Sequence, residues 1–187
     1  MELFYDTETS GLPNKSNWTD PSQPHVIQLG FILSTADTVF AEGSFLVKPA
    51  VEDWSIHPKA EEVHGISKEQ IMDCGLPAGY IAKLFTGLCM KSTSRICHNV
   101  AFDQKLMTIL LRRHELSADY VWQDTYCTML NSVELCQLPG KFGKHKWPQL
   151  QELHHHLFGE HFEGAHSALE DVRATRRCYY KLKEMGL

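Results

Sequence analysis

Apolar and polar positions follow two rhythms along this chain, a period of two in its first fifty residues and a helical period over most of the remainder. Residues 1–8, MELFYDTE, open with apolar and aromatic side chains and predict a first β-strand, in which Asp6 and Glu8 share one face. A loop rich in Pro, Asn and Ser comes next. Residues 26–34 (VIQLGFILS) and 39–49 (VFAEGSFLVKP) are β-rich, and their short connection predicts an antiparallel pair.

Residues 56–75 read as short helices and turns, and residues 77–90 as a full helix with Pro77 near its start. RICH, residues 95–98, predicts a short strand leading to Asn99. Asn99 then caps a helix over 100–115 with Phe102, Leu106, Ile109 and Leu110 at helical spacing. Another strand is expected at 120–125 (YVWQDT) and a mixed helical run at 126–138. A punctuated loop at 139–148 (PGKFGKHKWP) leads to a helix over 149–159. The final helix spans 167–185, with Ser167 and Glu170 as a capping box. Three early strands followed by alternating strands and helices imply an α/β fold with a mixed sheet.

Length and composition narrow the setting. The chain has 187 residues, 43% of them hydrophobic, which suits one domain over residues 1–187 and leaves little room for two cores. The cysteines Cys74, Cys89, Cys97, Cys127, Cys136 and Cys178 form no CxxC pair, so reduced thiols are expected. With no leader-like start and no apolar run of about 20 residues, the expectation is a soluble, cytoplasmic protein with no membrane partner. A net charge of -5 argues against a surface built to coat a polyanion, yet permits a local site for one strand end.

The acidic residues change the picture most. Asp6 and Glu8 share a strand face, Asp103 lies four residues past Asn99, and Asp171 lies four residues past Ser167. Both aspartates thus sit in or just beyond a helix's first turn, where the macrodipole and free amides favour an ionised carboxylate. Strand ends and helix starts meet at the open edge of an α/β sheet. Four converging carboxylates need a cation, and an all-oxygen set suits Mg²⁺ or Mn²⁺ better than zinc. Two such ions about 4 Å apart can hold a phosphodiester and stabilise its leaving oxygen. His166, five residues before Asp171, has the right basicity to take a proton from an attacking water near neutral pH.

These motifs resemble the DEDDh group of 3′→5′ exonucleases, which includes the proofreading subunit of bacterial DNA polymerase III. DTETSG (6–11), HNVAFD (98–103) and HSALED (166–171) match its three motifs in order, and HPKAEEVHGIS (57–67) looks like its connecting region. The resemblance implies an RNase H-like fold with a mixed five-stranded sheet flanked by helices. It implies a two-ion Mg²⁺ or Mn²⁺ exonuclease releasing 5′-nucleoside monophosphates. Asp6, Glu8, Asp103 and Asp171 would be the metal ligands and His166 the general base, with Asp6 touching both ions. Thr9, Leu12, His64 and Phe102 match positions that contact the terminal nucleotide. The implied partner is the 3′ end of single-stranded or frayed DNA. RNA, as in exoribonucleases of the oligoribonuclease and RNase T type, is the alternative, and a polymerase is a candidate protein partner. A non-catalytic module binding nucleic acid or a polymerase is a further alternative, disfavoured because all five catalytic-type residues are present.

Three other features have plainer readings. His98 is expected to support the turn into Asn99. In the HHH run at 154–156, consecutive helical positions face different ways, so two histidines should meet solvent and one should pack. KFGKHK, residues 141–146, is either a solvated loop or a contact for phosphates beyond the scissile one.

Overall fold

A computed structural model describes residues 1–165 and 167–187. Six strands form one mixed sheet: β1 (Glu2–Thr9), β2 (Val26–Ser34), β3 (Val39–Lys48), β4 (Leu76–Pro77), β5 (Ser94–Cys97) and β6 (Thr125–Cys127), in the order β4-β3-β2-β1-β5-β6. The first three strands run antiparallel, with Asp6 opposite Gly30, while β5 joins β1 in parallel and β6 joins β5 in parallel. The helices are α1 (Pro58–His64), α2 (Lys68–Cys74), α3 (Ala78–Lys91), α4 (Val100–Arg113), α5 (Thr128–Asn131), α6 (Val133–Cys136), α7 (Leu150–Phe158) and α8 (Ala168–Glu184).

The strand period of two sorts the core into layers. Leu3 and Tyr5 of β1 pack with Leu29, Phe31 and Leu33 of β2 against α3 and α4, through Phe85, Leu106 and Leu110. Phe4 and Ile32, one position out of step, meet Val172 and Tyr179 of α8 on the opposite face. Asp6, Glu8 and Gly30 have the parity of that second face, so the two early acids point to the side that α8 covers. Their position follows from the alternation that buries Phe4.

The sheet has six strands rather than the expected five. The extra one, β4, has two residues beside Val47 and Lys48 of β3, an edge position where Pro77 needs no ladder donor. The strand expected at 120–125 is also displaced. Asp119–Trp122 forms a 3-10 turn, and the strand begins at Thr125. The aromatic and β-branched residues there are held by α4 instead of a neighbouring strand: Gln104 Nε2 donates to Val121 O (2.9 Å) and Trp122 Nε1 to Thr108 Oγ1 (3.0 Å).

Two caps differ from expectation. Asn99 begins α4 with a left-handed backbone (φ 70°), a conformation asparagine tolerates, and its side chain makes no cap bond. Ser167 makes no side-chain cap bond either. Gln28 of β2 supplies the acceptor instead, taking the Ala168 N–H on Oε1 (3.3 Å), while Glu170 pairs with Arg173 (2.6 Å). In the HHH run, His154 is buried and bonded to Glu160 O and Arg177, and His155 and His156 are exposed, as the helical period requires. All six cysteines are free thiols. Among the described residues, no helix is long and apolar enough to cross a membrane.

Candidate active site

The site forms where β1 outruns β5. Pairing between them ends at Phe4 opposite Ile96, so the far half of β1 has an open side into which the first turn of α4 fits. Asp103 fills the gap: its Oδ1 accepts from the Thr7 backbone N–H (3.0 Å) and from Thr7 Oγ1 (2.8 Å). A helix side chain thus satisfies a strand donor that a longer β5 would have taken. On the α8 side of the strand, Asp6, Glu8 and Asp171 each offer a carboxylate oxygen, and these lie within 4.8 Å of one another.

Such crowding is costly without a cation. Burial lifts Asp6 well above the ordinary carboxylate range, reinforced by the charges of Asp103, Asp171 and Glu8. Glu8 is pushed up to about 8 by burial, then by Asp171 and Asp103. Asp103 rises to about 7, also through burial, although the two Thr7 bonds pull the other way. A divalent ion among these oxygens supplies the missing opposite charge and favours the ionised forms. The donor set therefore fits a hard, oxygen-preferring cation.

Two cavities meet at Glu8. One, of about 520 Å³, is lined by Thr9, Leu12, His64 and Phe102 together with Glu8, so the structure brings together all four residues expected at the terminal nucleotide. Leu12 is 81% exposed, so its side chain is accessible to a ligand. His64 Nδ1 accepts from Ile66 N (3.0 Å), which assigns the neutral ring's proton to Nε2. The second cavity, about 600 Å³, is lined by Asp6, Glu8, Asp103 and Asp171 and extends to Trp147 and Phe162. Thr7, Glu8 and Phe102 belong to both. His166, the expected base, lies outside the described residues.

His98 is a structural brace. Its Nε2–H donates to Pro148 O (2.9 Å), which makes Nδ1 the acceptor for the Thr128 hydroxyl (3.0 Å). Burial pushes the ring down to about 4, so it stays neutral in that role. Thr7, Gln28 and Gly30 contribute to the site without having stood out in the sequence. Thr7 lies inside the first acidic motif, and a glycine within an apolar strand is itself a signal of close backbone approach.

Thr7 offers a direct test of how Asp103 is held. Thr7→Val keeps the backbone bond and loses the hydroxyl, so half-saturation by Mn²⁺ should rise about tenfold, with Thr7→Ser restoring it. An unchanged Mn²⁺ titration in Thr7→Val would show that the hydroxyl bond does not position the carboxylate.

The family model described as exonuclease matches residues 3–179. No curated protein matches the chain. Among solved structures, E. coli exonuclease I in complex with a dT13 oligonucleotide is 21% identical with a TM-score of 0.77, over 98% of this chain and 40% of that one. The zinc-bound form of its complex with single-stranded DNA gives 22% and 0.78 over the same shares. A product-bound exonuclease I gives 20% and 0.76, over 98% and 43%. The chain therefore spans about two fifths of the length of these structures, and at such identity the likeness is one of fold.

Proposed function

The chain belongs to the exonuclease family, with the RNase H-like fold of the DEDDh group, and from that premise we propose that it is a metal-dependent 3′→5′ exonuclease on single-stranded or frayed DNA. Residues 1–187 would form one such domain. The observation that carries this reading is the convergence of Asp6, Glu8 and Asp171 oxygens within 4.8 Å, at the junction of two cavities.

Each residue then has a task. Asp6, Glu8, Asp171 and Asp103 would hold two Mg²⁺ or Mn²⁺ ions, Asp6 serving both, with Asp103 kept in line by Thr7. When bound, the ions polarise the phosphodiester and make an attacking water more acidic. The terminal nucleotide occupies the cavity of about 520 Å³ between Thr9, Leu12, His64 and Phe102, which an unpaired end would enter more readily than a paired one. His166, assigned on its motif alone, accepts the water's proton, and a 5′-nucleoside monophosphate leaves. Preference for DNA rests on the resemblance to proofreading subunits and on the single-stranded DNA held by the exonuclease I structures.

The test uses 5′-labelled single-stranded DNA and RNA of one sequence with Mg²⁺ or Mn²⁺, with EDTA and Asp6→Ala as controls. Stepwise shortening from the 3′ end, faster on DNA and lost in both controls, is the expected result. Faster loss of RNA would reassign the substrate, and no metal-dependent shortening of either would overturn the enzyme reading.

A further inference from the structure

Between α6 and α7 the chain carries a compact loop whose sequence, KFGKHKW over 141–147, combines cations and aromatics in a protein of net charge -5. The base of the loop is pinned. Pro139 and His145 form an antiparallel bridge, Lys146 N donates to Leu138 O (3.0 Å), and His98 holds Pro148 O. Lys146 pairs with Glu152, which also takes the Gln149 N–H. Gly140 is needed there, because a Cβ would lie 2.4 Å from Lys144 O.

The tip is built differently. Phe142 is 99% exposed and sits at φ 57°, a left-handed conformation disfavoured for an aromatic residue, next to Gly143 at φ 71°. Neither burial nor backbone preference accounts for a phenylalanine at this position. Among the described residues, Lys141 and Lys144 form no ion pair, unlike His145 with Glu134 and Lys146 with Glu152. Trp147, 65% exposed, joins the tip to the catalytic cavity, whose wall it forms together with Asp6 and Asp171.

We propose that this loop is a second binding site for the substrate strand, with Trp147 and Phe142 stacking on bases upstream of the scissile bond and Lys141 and Lys144 meeting their phosphates. The inference rests on the exonuclease reading and adds to it the path of the strand. With the 3′ nucleotide between Leu12 and His64, the strand crosses the acids and leaves through the other cavity, whose lining includes Trp147. Exposed aromatics interleaved with free lysines suit single-stranded nucleic acid of any sequence, because every base offers a flat face and every linkage a charge.

The experiment compares 3-mer and 12-mer oligothymidylates in two assays: anisotropy with Ca²⁺ and hydrolysis with Mn²⁺. The wild type should favour the 12-mer, and Phe142→Gly should weaken 12-mer binding about tenfold. Because glycine relieves the left-handed backbone, the same variant should melt about 2 °C higher, which separates lost binding from lost folding. Phe142→Trp should restore binding. The Lys141→Glu, Lys144→Glu double variant should lower the slope of log affinity against log salt by about 1.4. A length preference unchanged in both the Gly and the double Glu variants, or no length preference in an active wild type, overturns the loop site and leaves the exonuclease standing. A wild type that hydrolyses neither oligomer overturns the DNA reading and the loop site with it.

Discussion

Asp6→Asn is expected to reduce nuclease activity by on the order of 10³-fold or more, while raising the melting temperature of the metal-free protein. The two effects have one origin. Burial, and then the charges of Asp103, Asp171 and Glu8, make the ionised form of Asp6 unfavourable. Removing one carboxylate relieves the others but takes away the ligand proposed to touch both ions. Metal should then stabilise the wild type and leave Asp6→Asn nearly unmoved.

The same cluster sets a pH dependence with a definite sign. Glu8 is raised to about 8 and Asp103 to about 7, above their ordinary values, so each binds its proton more tightly in the folded state than in the unfolded. Their stabilising share is complete below about pH 4 and is lost as pH rises through about 7 and 8. In EDTA the melting temperature should therefore fall between pH 5 and pH 8. With Mn²⁺ the fall should be offset, since the ion binds the deprotonated forms. Because His25 and His98, both lowered to about 4, gain stability over part of the same range, Glu8→Gln is the reference, and a fall as large in that variant as in the wild type would show that Glu8 is not raised in the folded state.

Gly30→Ala is expected to cost about 3 kcal/mol and to lower activity by about 10²-fold. A Cβ at Gly30 would lie 2.5 Å from the carbonyl carbon and oxygen of Ala168 and 2.7 Å from Leu169 N. These are backbone atoms, so no rotamer change can relieve the overlap, and the start of α8 must move away from β2. Asp171 lies in that first turn, and Gly30 is opposite Asp6 in the ladder, so the displacement opens the acidic cluster directly. Calorimetry and kcat on one oligonucleotide measure both losses. Gly87→Ala is the control: nothing lies within 4 Å of a Cβ there, inside α3, and the change should be mildly stabilising. Wild-type stability in Gly30→Ala would mean that α8 does not approach β2 so closely.

Much of the site was legible because its constraints are local. Asp6 and Glu8 share a face by strand parity alone, and the offsets of Asp103 and Asp171 from their helix starts follow from chain position. The helical period likewise called for one packed and two exposed histidines in the HHH run, and the structure buries His154. The failures were non-local. Residues 120–122 have strand-like composition but are claimed by Gln104 and Thr108 of α4. Ser167 and Glu170 have the spacing of a capping box, yet Gln28 reaches the helix start from another strand and Arg173 engages Glu170. Asn99 starts α4 through its backbone conformation.

From the sequence came the candidate acids and the elements in which they lie, since residue type and periodicity are properties of a short stretch of chain. Only the tertiary structure decided how those elements meet: that β5 stops early enough for Asp103 to bond Thr7, that a bare Gly30 lets α8 bring Asp171 beside Asp6, and that Trp147 lines the same cavity as the acids. Each of these contacts joins residues that lie far apart in the chain, Asp6 and Asp171 most of all. They depend on packing distances that no local pattern encodes.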